Sequence, residues 1–133
     1  MHVLFIVLNE VEYLADILTR IREVGLRGAT VIESIGSATV IENDLYSVSF
    51  LASLVNVLEG KNKASRVIFS LIEREEQVIK AMDEVQLILG GDLKKPNKGM
   101  MFVLPVTHFR GGELERHIES REMKKNLAKG KKS

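Results

Sequence analysis

The sequence predicts an α+β protein with one four-stranded antiparallel sheet and two helices on one face of it. Three observations support this prediction. A strand–helix–strand order occurs twice along the 133 residues, a length that suits one domain. Each helix carries a single apolar stripe and therefore packs on one surface only. Two helices are too few for a parallel sheet of four strands, which needs a helix for every crossover.

The first strand–helix–strand unit begins with the apolar run His2–Leu8, which has the length of a strand. Asn9 is a candidate helix cap, because Glu12 follows three residues later in a capping-box arrangement. Apolar residues recur at helical spacing over residues 11–24, and a glycine follows as the expected left-handed stop. Residues 29–35 are rich in β-branched side chains and predict the second strand.

The second unit repeats this order. Residues 66–72 predict a strand, residues 75–89 an amphipathic helix with acidic residues in its first turn, and residues 99–106 a fourth strand. Two such units interleaved in one sheet give the ferredoxin-like βαββαβ plan.

This plan leaves the second face of the sheet uncovered. Val3, Phe5 and Val7 alternate with three equally apolar neighbours, so the first strand presents apolar side chains to both faces. A large exposed apolar surface is rare in a monomer, so we expect copies of the chain to associate through it.

Residues 36–64 form an insertion that is too long for an ordinary connection. Apolar spacing within it predicts a helix, with Phe50 and Leu54 beside the stripe. Two interpretations stay open: the helix packs on its own sheet or on a neighbouring subunit, or it docks onto a partner protein. After the core at 1–112, residues 113–133 predict a C-terminal helix and a basic tail.

Composition argues against catalysis. The chain has no cysteine, which excludes a disulfide scaffold, a thiolate metal site and a cysteine nucleophile. His2, His108 and His117 are scattered without the spacing of metal ligands, and no serine lies in a nucleophile-elbow context. We therefore predict no enzyme activity, no catalytic residue and no metal site. No motif in the sequence identifies a cofactor.

The charge and hydropathy of the chain argue against two classes of partner, nucleic acids and membranes. Residues 121–133 carry six basic residues and one acidic residue, which leaves a mildly acidic body that is a poor nucleic-acid surface. No apolar run reaches the roughly 20 residues of a membrane helix. The start of the sequence lacks a signal-peptide pattern, so we expect a cytoplasmic protein without membrane insertion.

The turn at residues 90–99 is the best candidate for anion binding. It brings three lysines together with glycines that let backbone N–H groups approach a ligand. The spacing is not that of a P-loop. A solvated lysine-rich turn remains the alternative interpretation.

Residues 23–36 resemble a signature of the PII nitrogen-regulatory family. They carry the pattern G-x-x-G-x-T-V-x-E-x-x-G, which that family shows between its first helix and second strand. The apolar run that follows Gly99 and ends in Pro105 and Val106 is similar to the family's last core strand. The resemblance covers about residues 1–112.

The resemblance implies a homotrimer that binds a small effector, usually an adenine nucleotide, in the clefts between subunits. It implies that residues 36–64 correspond to a loop that docks onto a transporter or enzyme, with Tyr46, Phe50 and Leu54 as the docking candidates. By position it assigns ligand binding to Gly36, Ser37, Lys94, Lys95, Lys98, Gly99 and Arg110.

The sequence also departs from the family. Met100 stands where the family has its phosphate-contacting lysine. The family's loop sequence with its modifiable tyrosine is not reproduced, and Tyr46 lies in the equivalent segment but within an apolar helical stretch. Two other functions therefore stay open: a trimeric scaffold without an effector, and a metal-tolerance protein of similar fold.

Overall fold

The computed structural model describes residues 1–37 and 64–130, which form a four-stranded antiparallel sheet and three α-helices. This confirms the predicted α+β class and the antiparallel sheet. The strands lie in the order β2-β3-β1-β4, so β1 and β3 are central and β2 and β4 are the edges. In chain order the elements are β1 (His2–Leu8), α1 (Leu14–Glu23), β2 (Thr30–Ser34), β3 (Ser65–Ile72), α2 (Glu75–Ile88), β4 (Gly99–Pro105) and α3 (Gly112–Gly130).

The first helix begins later than the capping-box pattern predicts. A 3₁₀ turn at Val11–Tyr13 precedes α1, and no side-chain cap hydrogen bond forms at either start. The Asn9–Glu12 cap is therefore wrong. The backbone N–H of Tyr13 donates instead to the carbonyl of Glu10 at 3.1 Å, so the turn begins one residue beyond Asn9. The Glu10 side chain is held elsewhere, by Lys98.

The helix ends as predicted, because Gly25 adopts a φ of +103°. This left-handed position is open to glycine at little cost and strained for other residues. The next residue, Leu26, donates its N–H back to the carbonyl of Ile21 at 3.1 Å, which satisfies one carbonyl of the last turn.

The core lies between one face of the sheet and the helices α1 and α2. Every buried apolar side chain that the structure describes on a strand belongs to β1 or β3 and points to this face. The helices contribute residues at helical spacing, as their stripes predict. The cluster comprises Leu4, Ile6, Leu8, Ile17, Ile21, Leu26, Ile68, Ile72, Val78, Ala81, Val85 and Leu89.

The opposite side of the sheet, here called the open face, is also apolar. Directly opposite residues in neighbouring strands share a face, and Phe5 lies opposite both Phe69 and Phe102. Several side chains of the open face are exposed to solvent: Met100 is 57% exposed, Phe102 40% and Leu104 48%. The open face comprises Val3, Phe5, Val7, Ile32, Val67, Phe69, Leu71, Met100, Phe102 and Leu104.

The start of β4 depends on a glycine. Gly99 has a φ of +112°, and a Cβ placed there would lie 2.1 Å from the carbonyl oxygen of Val7 on the neighbouring strand. Any other residue would clash with backbone, so Gly99 fixes where β4 begins to pair with β1.

Candidate functional site

The lysine turn, residues 92–98, lies at the end of the sheet where β1 finishes and β4 starts, since Leu8 pairs with Gly99. The backbone N–H of Lys94 donates to Asp92 Oδ1 at 3.0 Å, a local bond that shapes the turn. Lys94 and Lys95 are exposed, and neither ammonium group forms an ion pair with the residues that the structure describes. The turn thus offers two accessible positive charges to an anion.

The third lysine of the turn is already engaged. Lys98 Nζ lies 3.0 Å from Glu10 Oε1, and the two side chains are only 23% and 18% exposed. The hydrogen bond to Glu10 is the main reason that the pKa of Lys98 lies above its ordinary value. Lys98 therefore ties the turn to the segment before α1, and an anionic ligand would have to compete with Glu10 for it.

Gly36 and Ser37 follow β2 and are exposed at the same end of the sheet as the lysine turn. This follows from the register, because Ser34 at the end of β2 pairs with Ser65 at the start of β3, and Arg66 pairs with Leu8. β2 and β4 are opposite edges, however, three strand spacings or about 14 Å apart. One protomer does not bring Gly36 and Ser37 together with the lysines.

Arg110 lies beyond the other end of the sheet. β4 starts beside the lysine turn and runs away from it to Pro105, and Arg110 follows as an exposed residue before α3. Within one chain Arg110 is therefore separated from the lysine turn by the length of a strand. The predicted docking residues Tyr46, Phe50 and Leu54 lie outside the described residues.

A cavity that the sequence did not reveal lies at the end of the sheet that β3 reaches. Its volume is about 620 Å³, within the range of small-molecule pockets. Its walls are the linker 25–30, the end of β3 with the residues after it, and the first part of α3. Leu26, Leu71 and Leu114 give it an apolar lining, and Gln77 and His117 add polar groups.

An ion pair between Glu73 and Arg121 joins the cavity's two sides. Arg121 Nη1 donates to Glu73 Oε2 at 2.9 Å, and Arg121 Nη2 donates to Glu73 Oε1. This hydrogen bond lowers the pKa of Glu73 and raises that of Arg121. The Nε of Arg121 is buried and has no hydrogen-bond partner within the described part of the chain.

Little in the sequence indicates this second site. Glu73 and Arg121 are 48 residues apart, and no motif links them. Only the spacing of His117 and Arg121, one helical turn apart, could have indicated that they face the same way.

The described ranges, 1–37 and 64–130, contain no group of three or more His, Asp or Glu side chains placed to hold a metal ion. Of the helices in these ranges, none combines the length and the hydropathy that a bilayer span requires.

The sequence matches no protein-family model, and a search of curated proteins gives no match.

Proposed function

We propose that the chain is a cytoplasmic, PII-like regulatory protein. Three copies assemble through their open faces, bind a small anionic effector where they meet, and regulate a partner protein through residues 36–64. A transporter or enzyme is the class of partner that the resemblance implies, and an adenine nucleotide is the first effector to test.

The open face is the observation that carries this proposal. Ten apolar side chains line one side of the sheet, and several are 40% exposed or more. Covering such a surface removes apolar area from water at roughly 25 cal/mol per Å², which favours assembly of identical copies. The number three comes from the resemblance to the PII family.

The strand order supports the ferredoxin-like part of the proposal. The two strand–helix–strand units interleave, so that β1 and β3, the first strands of the two units, pair in the centre and β2 and β4 lie at the edges. The core residues of α1 and α2 join a single cluster with the strands.

A site shared by the predicted ligand-binding residues needs more than one copy of the chain. Lys94 and Lys95 lie beside one edge of the sheet, Gly36 and Ser37 lie at the other edge, and Arg110 lies at the far end. Because one copy keeps them apart, a shared site requires the edges of neighbouring copies to meet. The seam between copies is therefore where we place the effector.

Sedimentation velocity at micromolar concentration tests the assembly. We expect a mass of about 45 kDa, three times the 14.9 kDa of one chain. A species of 14.9 kDa under these conditions would overturn the proposal, since the seams would not exist.

Calorimetry with ATP, ADP, AMP and inorganic phosphate tests the effector. We expect saturable binding of at least one of these anions, weakened by the double variant Lys94→Ala/Lys95→Ala. Lys80→Ala, which removes an exposed lysine from α2, is the matched control and should bind like the parent. Equal binding by all three proteins would exclude the lysine turn as the site.

A trimeric scaffold without an effector is the second candidate. The Lys98–Glu10 pair favours it, because this lysine already has a carboxylate partner inside its own chain. A stable trimer that gives no heat with any of the four anions would support this function over the first.

A further inference from the structure

Helix α3 is attached to the rest of the chain differently from α1 and α2. Its 19 residues include no buried side chain, whereas α1 and α2 bury Ile17, Ile21, Val78, Ala81 and Val85. Helices in proteins are stabilised mainly by packing of an apolar face. α3 contributes only half-buried apolar side chains, such as Leu114 and Ile118, so polar contacts matter more for its position than for that of α1 or α2.

The Glu73–Arg121 pair is a specific polar contact between α3 and the rest of the chain. Two charge-assisted hydrogen bonds join the middle of α3 to the residue that follows β3. Both side chains are 25% exposed, which shields the pair from much of the solvent. The buried Nε of Arg121, with no partner in the described ranges, makes the docked state less favourable than a fully satisfied pair.

A glycine pair lies at the start of α3: Gly111 precedes the helix and Gly112 is its first residue. Gly111 and Gly112 have φ values of +92° and +75°, and a Cβ at either position would meet no atom within 4 Å. Two successive glycines in open space can change their dihedral angles without steric cost. They are placed to act as a hinge between β4 and α3.

α3 also forms a wall of the cavity. Gly111, Gly112, Leu114, His117 and Arg121 line the cavity from this side, and the linker 25–30 lines it from the opposite side. If α3 moved away as a unit, the cavity would lose this wall and become more open to solvent.

We propose that α3 is a hinged lid over the cavity, closed by the Glu73–Arg121 ion pair and able to open about Gly111 and Gly112. Opening of the lid, with α3 moving as one helix, removes one wall of the cavity. The cavity lies at the opposite end of the sheet from the lysine turn.

Distance measurement between two spin labels tests the lid. The chain has no cysteine, so labels attach only at the introduced pair Lys80→Cys on α2 and Lys124→Cys on α3. Labelled chains are mixed with an excess of unlabelled chains, so that distances between copies do not contribute. We expect the closed lid to give one dominant, narrow distance distribution.

Arg121→Gln should shift the lid towards the open state. Loss of the charged hydrogen bonds should lower the ratio of closed to open lids about ten- to hundredfold. The open lids should give a second, longer distance between the two spin labels. Arg116→Gln, at an exposed position of the same helix, is the matched control and should resemble the parent. The double variant Glu73→Arg/Arg121→Glu should restore the closed distance.

Helix content from circular dichroism separates opening from local unfolding. We expect Arg121→Gln to keep the parent's helix content, because the lid moves as a helix. The proposal is overturned if Arg121→Gln and Arg116→Gln give the same distances, or if Arg121→Gln lengthens the distance only by melting α3.

Discussion

The ring of Phe5 stacks on the ring of Phe102 on the open face, with centroids 5.0 Å apart and an angle of 12° between the planes. Phe69 extends the row on the other side of Phe5, at a centroid distance of 5.8 Å. Three rings in adjacent strands form a rigid apolar surface that side-chain rearrangement cannot hide. A second copy of the chain can cover this surface without ordering new side chains.

A charge on this surface should prevent assembly. Phe102→Glu places a carboxylate in the aromatic row, where burial against another copy would be unfavourable. We expect sedimentation velocity to show 14.9 kDa monomers, with at least tenfold weaker association than the parent.

Leu87→Glu is the matched control for this variant. Leu87 is 70% exposed on α2 and lies outside the open face, so the same change in charge should leave the mass unaltered. If Phe102→Glu kept the parent's mass, or if Leu87→Glu dissociated the protein equally, the open face would not be the interface.

Gly99→Ala should destabilise the fold strongly. The new Cβ would lie 2.1 Å from Val7 O, and the positive φ is strained for alanine. We expect a loss of more than about 2 kcal/mol in the free energy of unfolding, measured by urea denaturation. Gly28→Ala meets no atom within 4 Å and should change it by less than about 0.5 kcal/mol. Equal effects of the two would contradict the close approach of β4 to β1.

Releasing Lys98 should strengthen anion binding at the lysine turn. Glu10→Gln removes the carboxylate that holds the Lys98 ammonium, so we expect calorimetry to show about two- to fivefold tighter binding of ATP. Glu12→Gln removes an exposed carboxylate two residues away and is the control. A similar gain from both variants would indicate a general charge effect rather than competition for Lys98.

The Glu73–Arg121 pair should make stability depend on acid pH. Arg121, Arg74 and His117 face Glu73, and its pKa lies below the ordinary value of 4.5. A carboxylate with a lowered pKa in the folded state stabilises the protein above its unfolded pKa and loses that contribution as the pH falls through the folded value. Glu73→Gln should therefore be less stable than the parent near neutral pH.

The difference in unfolding free energy between Glu73→Gln and the parent should shrink as the pH falls below about 4.5. Urea denaturation at a series of pH values measures it, and Glu119→Gln, an exposed change on α3, is the control. If the difference in unfolding free energy stayed constant from neutral to acid pH, the charge of Glu73 would contribute nothing to stability.

Local patterns predicted the sheet and its two faces well. The continuous apolar run of β1 predicted two apolar sides, because successive side chains of a strand point to opposite faces. The structure buries Leu4 and Ile6 on one side, while Phe5 points to the other. Gly25 marked the end of α1 correctly. These features depend on residues close in sequence, where periodicity and glycine chemistry carry the information.

Local patterns could not predict contacts between segments that are far apart in the sequence. Glu10 precedes the first helix, yet its partner Lys98 lies 88 residues later in the chain. The same holds for Glu73 and Arg121, and hence for the cavity that α3 completes. Such pairs form only when the topology places the segments side by side, and a single sequence carries no periodic signal for that.

The position of β1 in the centre of the sheet has a consequence for synthesis on the ribosome. Phe5 leaves the exit tunnel before its two cross-strand neighbours, because Phe69 and Phe102 lie 64 and 97 residues later in the chain. β1, which has two apolar sides, is therefore synthesised before either of the strands that it pairs with, β3 and β4.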